Sequence, residues 1–301
     1  MSGERVAVSE CMNLQPEETA LVVYDEAHER VADRLVTAAS EIADTRRMTV
    51  EAGEHGAEPP SEVAEAMGSA DVVLVATSGS LSHTDALYDA LVEHGTRAAS
   101  MPGITESMLD GAVATDYESI ESSLDHLLPK LRSSSRVRVT APAGTDVRLR
   151  VEDFQWLAEP GRCHEPGYMT NLPAGEVATG IDTADGTVVV DGSMAGLDSL
   201  DDPIEIQIEE GRAVDISDDR FADLLDSTGP CARSVGEFGI GLNPDASVVG
   251  NPLQDEKVKG TVHFGFGDDT GLGGDTDCEA HLDGIVTDAT VALDGEPVSI
   301  K

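Results

Sequence analysis

The sequence predicts an α/β N-terminal domain with a parallel sheet covered by helices, followed by a β-rich (α+β) domain. Three observations carry this. Short β-branched runs alternate with helical patterns up to about residue 132, the apolar period then changes to two, and glycine becomes more frequent as helical patterns thin out. Strands buried on both faces and separated by helices pack as parallel sheets, whereas period-two strands joined by tight turns pack as hairpins. The polar stretch LRSSSR (131–136) carries no apolar period, so the domains are expected to be 1–132 and 133–301.

In the first domain TALVVYD (19–25) reads as a strand ending in Asp25, and EAHERVADRLVTAASEI (26–42) as an amphipathic helix. RRMTV (46–50) is a second strand. A helix follows Pro59-Pro60 at 61–67, and DVVLVATS (71–78) is the most apolar strand of the set. LSHTDALYDALVEHG (81–95) is a helix with Ser82 or Thr84 as its cap. TRAASMPG (96–103), a short helix and a long helix at 116–131 complete the domain. The second domain opens on SRVRVTAPAGTDVRLRVED (135–153), a hairpin around a Pro-Ala-Gly-Thr-Asp turn. GTVVVDGS (186–193), PIEIQIEEGRAVDI (203–216) and TVHFGFG (261–267) are further strands, with a helix at 218–225 between the last two. ATVALDGEPVSI (289–300) is a terminal hairpin turning at Asp294-Gly295.

Charge narrows the function. Acidic residues outnumber basic ones 58 to 19, for a net charge of −39, and lysine occurs only at 130, 257, 259 and 301. With 40% hydrophobic residues the chain is not a disordered polyanion, and it is expected to work in very high salt, where charge repulsion is screened within about 3 Å. Nucleic acid is excluded as a partner because no basic patch exists to displace its counterions. No apolar run of membrane-spanning length occurs, and MSGERVAVSE at the start is no signal peptide, so a cytoplasmic protein is expected. The four cysteines at 11, 163, 231 and 278 show no close spacing and read as free thiols, with Cys278 three residues before His281 as a conceivable thiolate ligand. No glycine-rich phosphate loop follows any strand, so no nucleotide cofactor is expected.

The chemistry concentrates between Gly236 and Asp283. His281 and Asp283 form an H-x-D pair, and residues i and i+2 of a strand share one face. In TVHFGFG, Val262, Phe264 and Phe266 alternate with His263 and Gly265, which gives an apolar face and a histidine on the other. Glu237 stands between Gly236 and an apolar run, and Glu176 follows the Pro-Ala-Gly bend of MTNLPAGEVATG (169–180). Imidazole nitrogen with carboxylate oxygen suits Zn²⁺, Co²⁺, Mn²⁺ or Fe²⁺. The five residues suffice for a two-metal site, or for a one-metal site with a carboxylate left as base.

On NLPAGEV (171–177), GEFGIGLNP (236–244), DEKVKGTVHFGFG (255–267) and the glycine-rich run ending in HLD (281–283), the chain resembles metallopeptidases of the aminopeptidase T type. It also resembles the related 2,5-dihydroxypyridine 5,6-dioxygenases. SLSHT (80–84) and SMPGIT (100–105) add to the resemblance, which is weak before residue 80 and strong after 169. The peptidase side implies two ions of zinc, cobalt or manganese held through Glu176, Glu237, His263, His281 and Asp283, with Glu237 as base. The dioxygenase side implies one Fe²⁺ held by His263, His281 and Asp283, with positions open for O₂ and substrate. Two features depart from the peptidases: Thr270 stands where they have a tyrosine, and DEKVKG stands where their strand usually follows DENA.

Because Glu176 and Glu237 are both present, the leading expectation is a hydrolase that removes N-terminal residues from peptides or cleaves a small amide. A single-Fe²⁺ ring-cleaving dioxygenase acting on a small aromatic is the alternative, and a non-catalytic metal-binding member the third. The resemblance implies a homodimer, and His83 in SLSHT is a candidate lining residue of the substrate pocket. The charge balance makes its own prediction. Lowering salt from molar to about 0.1 M, where repulsion reaches about 10 Å, is expected to abolish cooperative structure. Circular dichroism across a potassium chloride series checks this; an unchanged melting temperature down to 0.1 M would overturn it.

Overall fold

The structure, a computed structural model, describes residues 1–197, 200 and 202–301, and none of the segments or site residues named above falls outside them. The parallel sheet begins with β1 (Thr19–Tyr24), β2 (Asp44–Thr49), β3 (Val72–Ala76) and β4 (Arg97–Ser100), each paired parallel to its neighbour. All of β3 and β4 is buried, and so is β1 beyond Thr19. Helices on the two faces account for this. Leu21, Val23, Val73 and Val75 pack with Val63 and Met67 of the helix Ser61–Gly68 and with Leu87 and Ala90 of the helix Asp85–Val92. The alternate residues Ala20, Val22, Val72 and Leu74 are buried as well, and the helix Glu29–Ser40 packs on β1, β2 and β3. Of the two candidate caps, Thr84 is the one whose side chain accepts the Leu87 N–H.

Beyond the helix Tyr117–Arg132, β5 (Arg136–Thr140) and β6 (Asp146–Arg150) form the hairpin that the Pro-Ala-Gly turn predicts. Two three-residue strands follow, β7 (Leu157–Glu159) and β8 (Met169–Asn171). Then come β9 (Glu176–Gly180), β10 (Thr183–Val190), β11 (Ile204–Glu209) and β12 (Arg212–Ile216). The chain ends with β13 (Val235–Gly241), β14 (Val262–Gly267), β15 (His281–Val286), β16 (Thr290–Leu293) and β17 (Glu296–Val298). All of these but β8 build a seven-stranded sheet, β12-β11-β10-β6-β5-β16-β17, and a five-stranded sheet, β15-β14-β13-β9-β7. Their ladders are antiparallel through β10–β11, β5–β6, β9–β13, β13–β14 and β14–β15.

The chain divides into two compact units, Met1–Tyr117 with Glu159–Ala174, and Glu118–Ala158 with Gly175–Lys301. A single cut near residue 132 does not describe this division. The return to the first unit is made by β8, which pairs parallel with β4 and completes the order β2-β1-β3-β4-β8. The cysteine expectation needs correcting as well. Cys231 and Cys278 are joined in a disulfide, with Cα atoms 5.7 Å apart, because the loop before β15 folds back to within bonding reach. Cys278 is therefore not a thiolate ligand; Cys11 and Cys163 are free and buried. Among the described residues no helix is long and apolar enough to cross a membrane.

One side of β13 and β14 is an aromatic core. Phe238 lies 6.0 Å from Trp156 and 5.5 Å from Phe264, ring centre to ring centre, and Phe221 lies 5.5 Å from Phe266. Packing on that side fixes the sheet whose other side carries the polar groups. Phe264→Ala is expected to cost about 3–5 kcal/mol by cavity formation. Urea unfolding followed through Trp156, the chain's one tryptophan, measures it; a loss below about 1 kcal/mol would show that the ring does not hold the sheet.

Candidate metal centre

Polar side chains and glycines alternate on the other face of the five-stranded sheet. Across the ladder Glu176 stands opposite Gly241, His263 opposite Gly239, Glu237 and Asp283 opposite Gly265, and His281 opposite Gly267. The repeats GEFGIG and HFGFG write this pattern, with phenylalanine and isoleucine on the core side. A Cβ at Gly239 would lie 2.0 Å from His263 Cε1, and one at Gly265 would lie 2.8 Å from Glu237 Cβ and 3.0 Å from His281 Cε1. No side chain fits at such distances. Glycine here is the space into which the functional groups reach across neighbouring strands.

Two groups of ligand-type atoms result, Glu237–His281–Asp283 and Glu176–Glu256–His263, each within a span of 4.8 Å. His281 Nε2 lies 2.9 Å from Glu237 Oε2 and 3.4 Å from Asp283 Oδ1. His281 Nδ1 donates to the Asp268 carbonyl at 2.7 Å, which leaves Nε2 as the atom facing the carboxylates. His263 Nε2 links the groups, 3.4 Å from Glu237 Oε1 and 3.7 Å from Glu176 Oε2. Its side chain is 1% exposed, whereas His281, at 36%, marks the open side. Lys257 is buried and donates from Nζ to Glu176 and Glu256. It follows the short helix Pro252–Asp255, which Asp255 anchors by accepting the N–H groups of Val249 and Gly250 and the Ser193 hydroxyl.

Glu176 Oε2, His263 Nδ1 and Asp283 Oδ1 are buried without a hydrogen bond. Buried oxygens in that state are costly, and a cation relieves them. One imidazole nitrogen with two carboxylates is a donor set for Zn²⁺, Mn²⁺ or Fe²⁺, so Glu237, His281 and Asp283 fit a divalent ion. The charges interlock. Burial opposes a proton on His263, but the Glu237 hydrogen bond and the Glu176 charge outweigh it and raise its pKa to about 9. The Asp283 charge, more than burial opposes it, lifts the His281 pKa much further. Burial would raise the Glu237 pKa, yet hydrogen bonds from His263 and His281 bring it far below the usual carboxylate range. Burial prevails for Glu176, whose pKa is raised despite Lys257, and for Glu256, raised to about 7.

The sheet thus brings the five candidate ligands named from the sequence together on one face. Glu237 converges with His281 and Asp283, while His263 falls in the group with Glu176. His83 is exposed in the turn before the helix Asp85–Val92 and belongs to neither group. Glu256 and Lys257 were not among the candidate ligands named from the sequence. Their signal was a lysine beside a glutamate in DEKVKG, in a chain with four lysines.

A parallel-sheet unit, antiparallel sheets and a nitrogen-and-carboxylate centre on one sheet face define a class of two-unit metalloenzyme folds. The family model of the 2,5-dihydroxypyridine 5,6-dioxygenases matches residues 2–301, and the chain belongs to that family. The structure of 2,5-dihydroxypyridine dioxygenase from Pseudomonas putida KT2440 is similar, with a TM-score of 0.84 and 19% identity over 99% of this chain and 94% of that one. Wild-type AmpT, aminopeptidase T, from Thermus thermophilus is also similar, with a TM-score of 0.70 and 18% identity over 99% of this chain and 98% of that one. Identities this low establish the fold alone. No curated protein sequence matches.

Metal uptake should depend on pH with a definite sign. A ligand imidazole must be neutral, whereas the metal-free site holds His263 protonated below about pH 9, and His281 more firmly still. Mn²⁺ affinity is therefore expected to rise with pH from 6 to 8, by up to about tenfold per unit for each proton displaced. Calorimetric titration at several pH values, with proton release read from buffers of different ionisation enthalpy, checks it. A flat affinity would show that the imidazoles are not protonated in the metal-free site.

Proposed function

We propose that the chain is a ring-opening dioxygenase that uses one divalent ion, Fe²⁺ or Mn²⁺, and O₂ on a hydroxylated pyridine or a similar small aromatic. The observation that supports this is the pairing of Lys257 with Glu176 and Glu256. A fixed ammonium already engages one oxygen of each carboxylate in that group, whereas Glu237 and Asp283 face the imidazole of His281 at the open side of the sheet. Thr270 adds to it. The residue that the peptidase resemblance expects to be tyrosine is exposed, and its hydroxyl donates to the Asp268 carboxylate at 3.0 Å. Membership of the dioxygenase family points the same way.

An ion held by Glu237, His281 and Asp283 would leave positions open and supply the redox and Lewis-acid chemistry that lets O₂ react with an aromatic ring. Both oxygen atoms enter the product, one at each carbon of the ring bond that breaks, so no external reductant is consumed. The chain's own residues prepare the ring. His263 Nε2, 3.4 Å from Glu237 Oε1, is placed to take the proton of a ring hydroxyl. With Glu237 engaged by an ion, the charge that keeps His263 Nε2 protonated would be offset, and Nε2 would be free to act as base. The exposed edge of His281 marks the side from which substrate arrives.

A hydrolase of the aminopeptidase T type is the second reading, favoured by the presence of two ligand groups rather than one. Protein loaded anaerobically with Fe²⁺ distinguishes the two. With 2,5-dihydroxypyridine it is expected to take up one O₂ per ring consumed at one ion per chain, and His263→Gln should keep the ion but lower turnover by about 10²–10⁴-fold. Cleavage of an aminoacyl-anilide by protein holding two ions, with no oxygen uptake, would overturn the proposal.

A further inference from the structure

We infer that Lys257 is a resident cation standing in a second metal position, and that it limits this centre to one divalent ion. The inference rests on the single-ion reading above and explains how the protein enforces it. Glu176, Glu256 and His263 offer two carboxylate oxygens and an imidazole nitrogen within 4.8 Å of one another, the same kind of donor set as Glu237, His281 and Asp283. Lys257 Nζ donates to one oxygen of each carboxylate, so a monocation sits where those oxygens would meet a dication.

The lysine is built in. Its side chain is 1% exposed, its N–H donates to the Gln254 carbonyl at 3.0 Å, and its carbonyl accepts the Asn243 N–H at 2.8 Å. The backbone around it presses on β13 so closely that a Cβ at Gly241 would lie 2.1 Å from the Val258 oxygen and 2.8 Å from Lys257 C. Glycine at 241 therefore admits the segment that sends Nζ into the carboxylates. Charge counting gives the consequence. Glu176, Glu237, Glu256 and Asp283 bring four carboxylates to the two linked groups. One ammonium and one dication nearly balance them. Two dications beside the ammonium would overcharge the site and set like charges side by side, whereas two dications without it balance the four carboxylates. Residue 257 is thus the determinant of metal number, and a neutral side chain there opens the second position.

Lys257→Met tests this with Mn²⁺ as the probe. Bound Mn²⁺ per chain is measured by plasma mass spectrometry after gel filtration, beside melting temperature as a function of Mn²⁺ concentration. The wild type and Lys257→Arg are expected to hold one ion. Lys257→Met should hold two, with a melting temperature that keeps rising beyond the first equivalent, and adding Glu256→Gln should return it to one. Folded Lys257→Met that saturates at one ion would overturn the inference and leave the single-ion reading standing. Two ions in the wild type would overturn the single-ion reading itself. If Lys257→Met folds only with Mn²⁺, the stoichiometry of the folded fraction decides in the same way. A variant that stays unfolded at every Mn²⁺ concentration, while Lys257→Arg folds, would also count against it, since the ion should replace the ammonium.

Discussion

Four carboxylates crowded onto one sheet face are the constraint to which the second unit answers. Glu176, Glu237, Glu256 and Asp283 are largely withdrawn from water, and buried like charges are tolerated only when each has a cation or a donor nearby. His281 and His263 supply positive charge to Glu237. Lys257 supplies it to Glu176 and Glu256. The glycines of β13 and β14 give these partners room, and the aromatic cluster on the opposite side keeps the strands in register.

The same scarcity of cations shapes the rest of the molecule. With 19 basic residues against 58 acidic ones, cations appear where geometry makes them count. Arg97, on the buried strand β4, donates two parallel bonds to Glu18 and a third to the Met12 carbonyl. Arg34 spans Glu4 and Asp110. Bidentate arginine pairs fix geometry as well as charge. Among the described residues the one buried lysine stands at the centre of the carboxylates, where a compact, point-like cation suits two acceptors from different segments.

Much of the centre was legible because strands print a period of two. The alternations in GEFGIG and HFGFG announce one packed face and one open face, and H-x-D places two donors on the latter. The parallel sheet was legible for the same reason, since TALVVYD and DVVLVATS can only be buried on both sides. What escaped has no period to print. Strand β8 is three residues long and is a strand only because β4 lies beside it. Lys257 reaches Glu176 across 81 positions of sequence, and Cys231 meets Cys278 across 47. The grouping of His263 with Glu176 rather than with His281 depends on which side of Glu237 each ring approaches. A one-dimensional pattern assigns faces of a strand, and distances across a sheet come from register.

The link between Cys231 and Cys278 has a topological consequence. It closes a covalent ring that contains Glu237, Glu256, Lys257 and His263, and leaves Glu176, His281 and Asp283 outside. A denatured chain that keeps this bond cannot separate the ring members beyond the length of one loop, and a closure of this size removes about 4 kcal/mol of freedom from the unfolded ensemble. The ring limits how far β13 and β14 can separate even when every ladder bond is broken. His281 is tethered three residues past the closing cysteine. Part of the order that ion binding would otherwise have to impose is thus written into the connectivity of the chain.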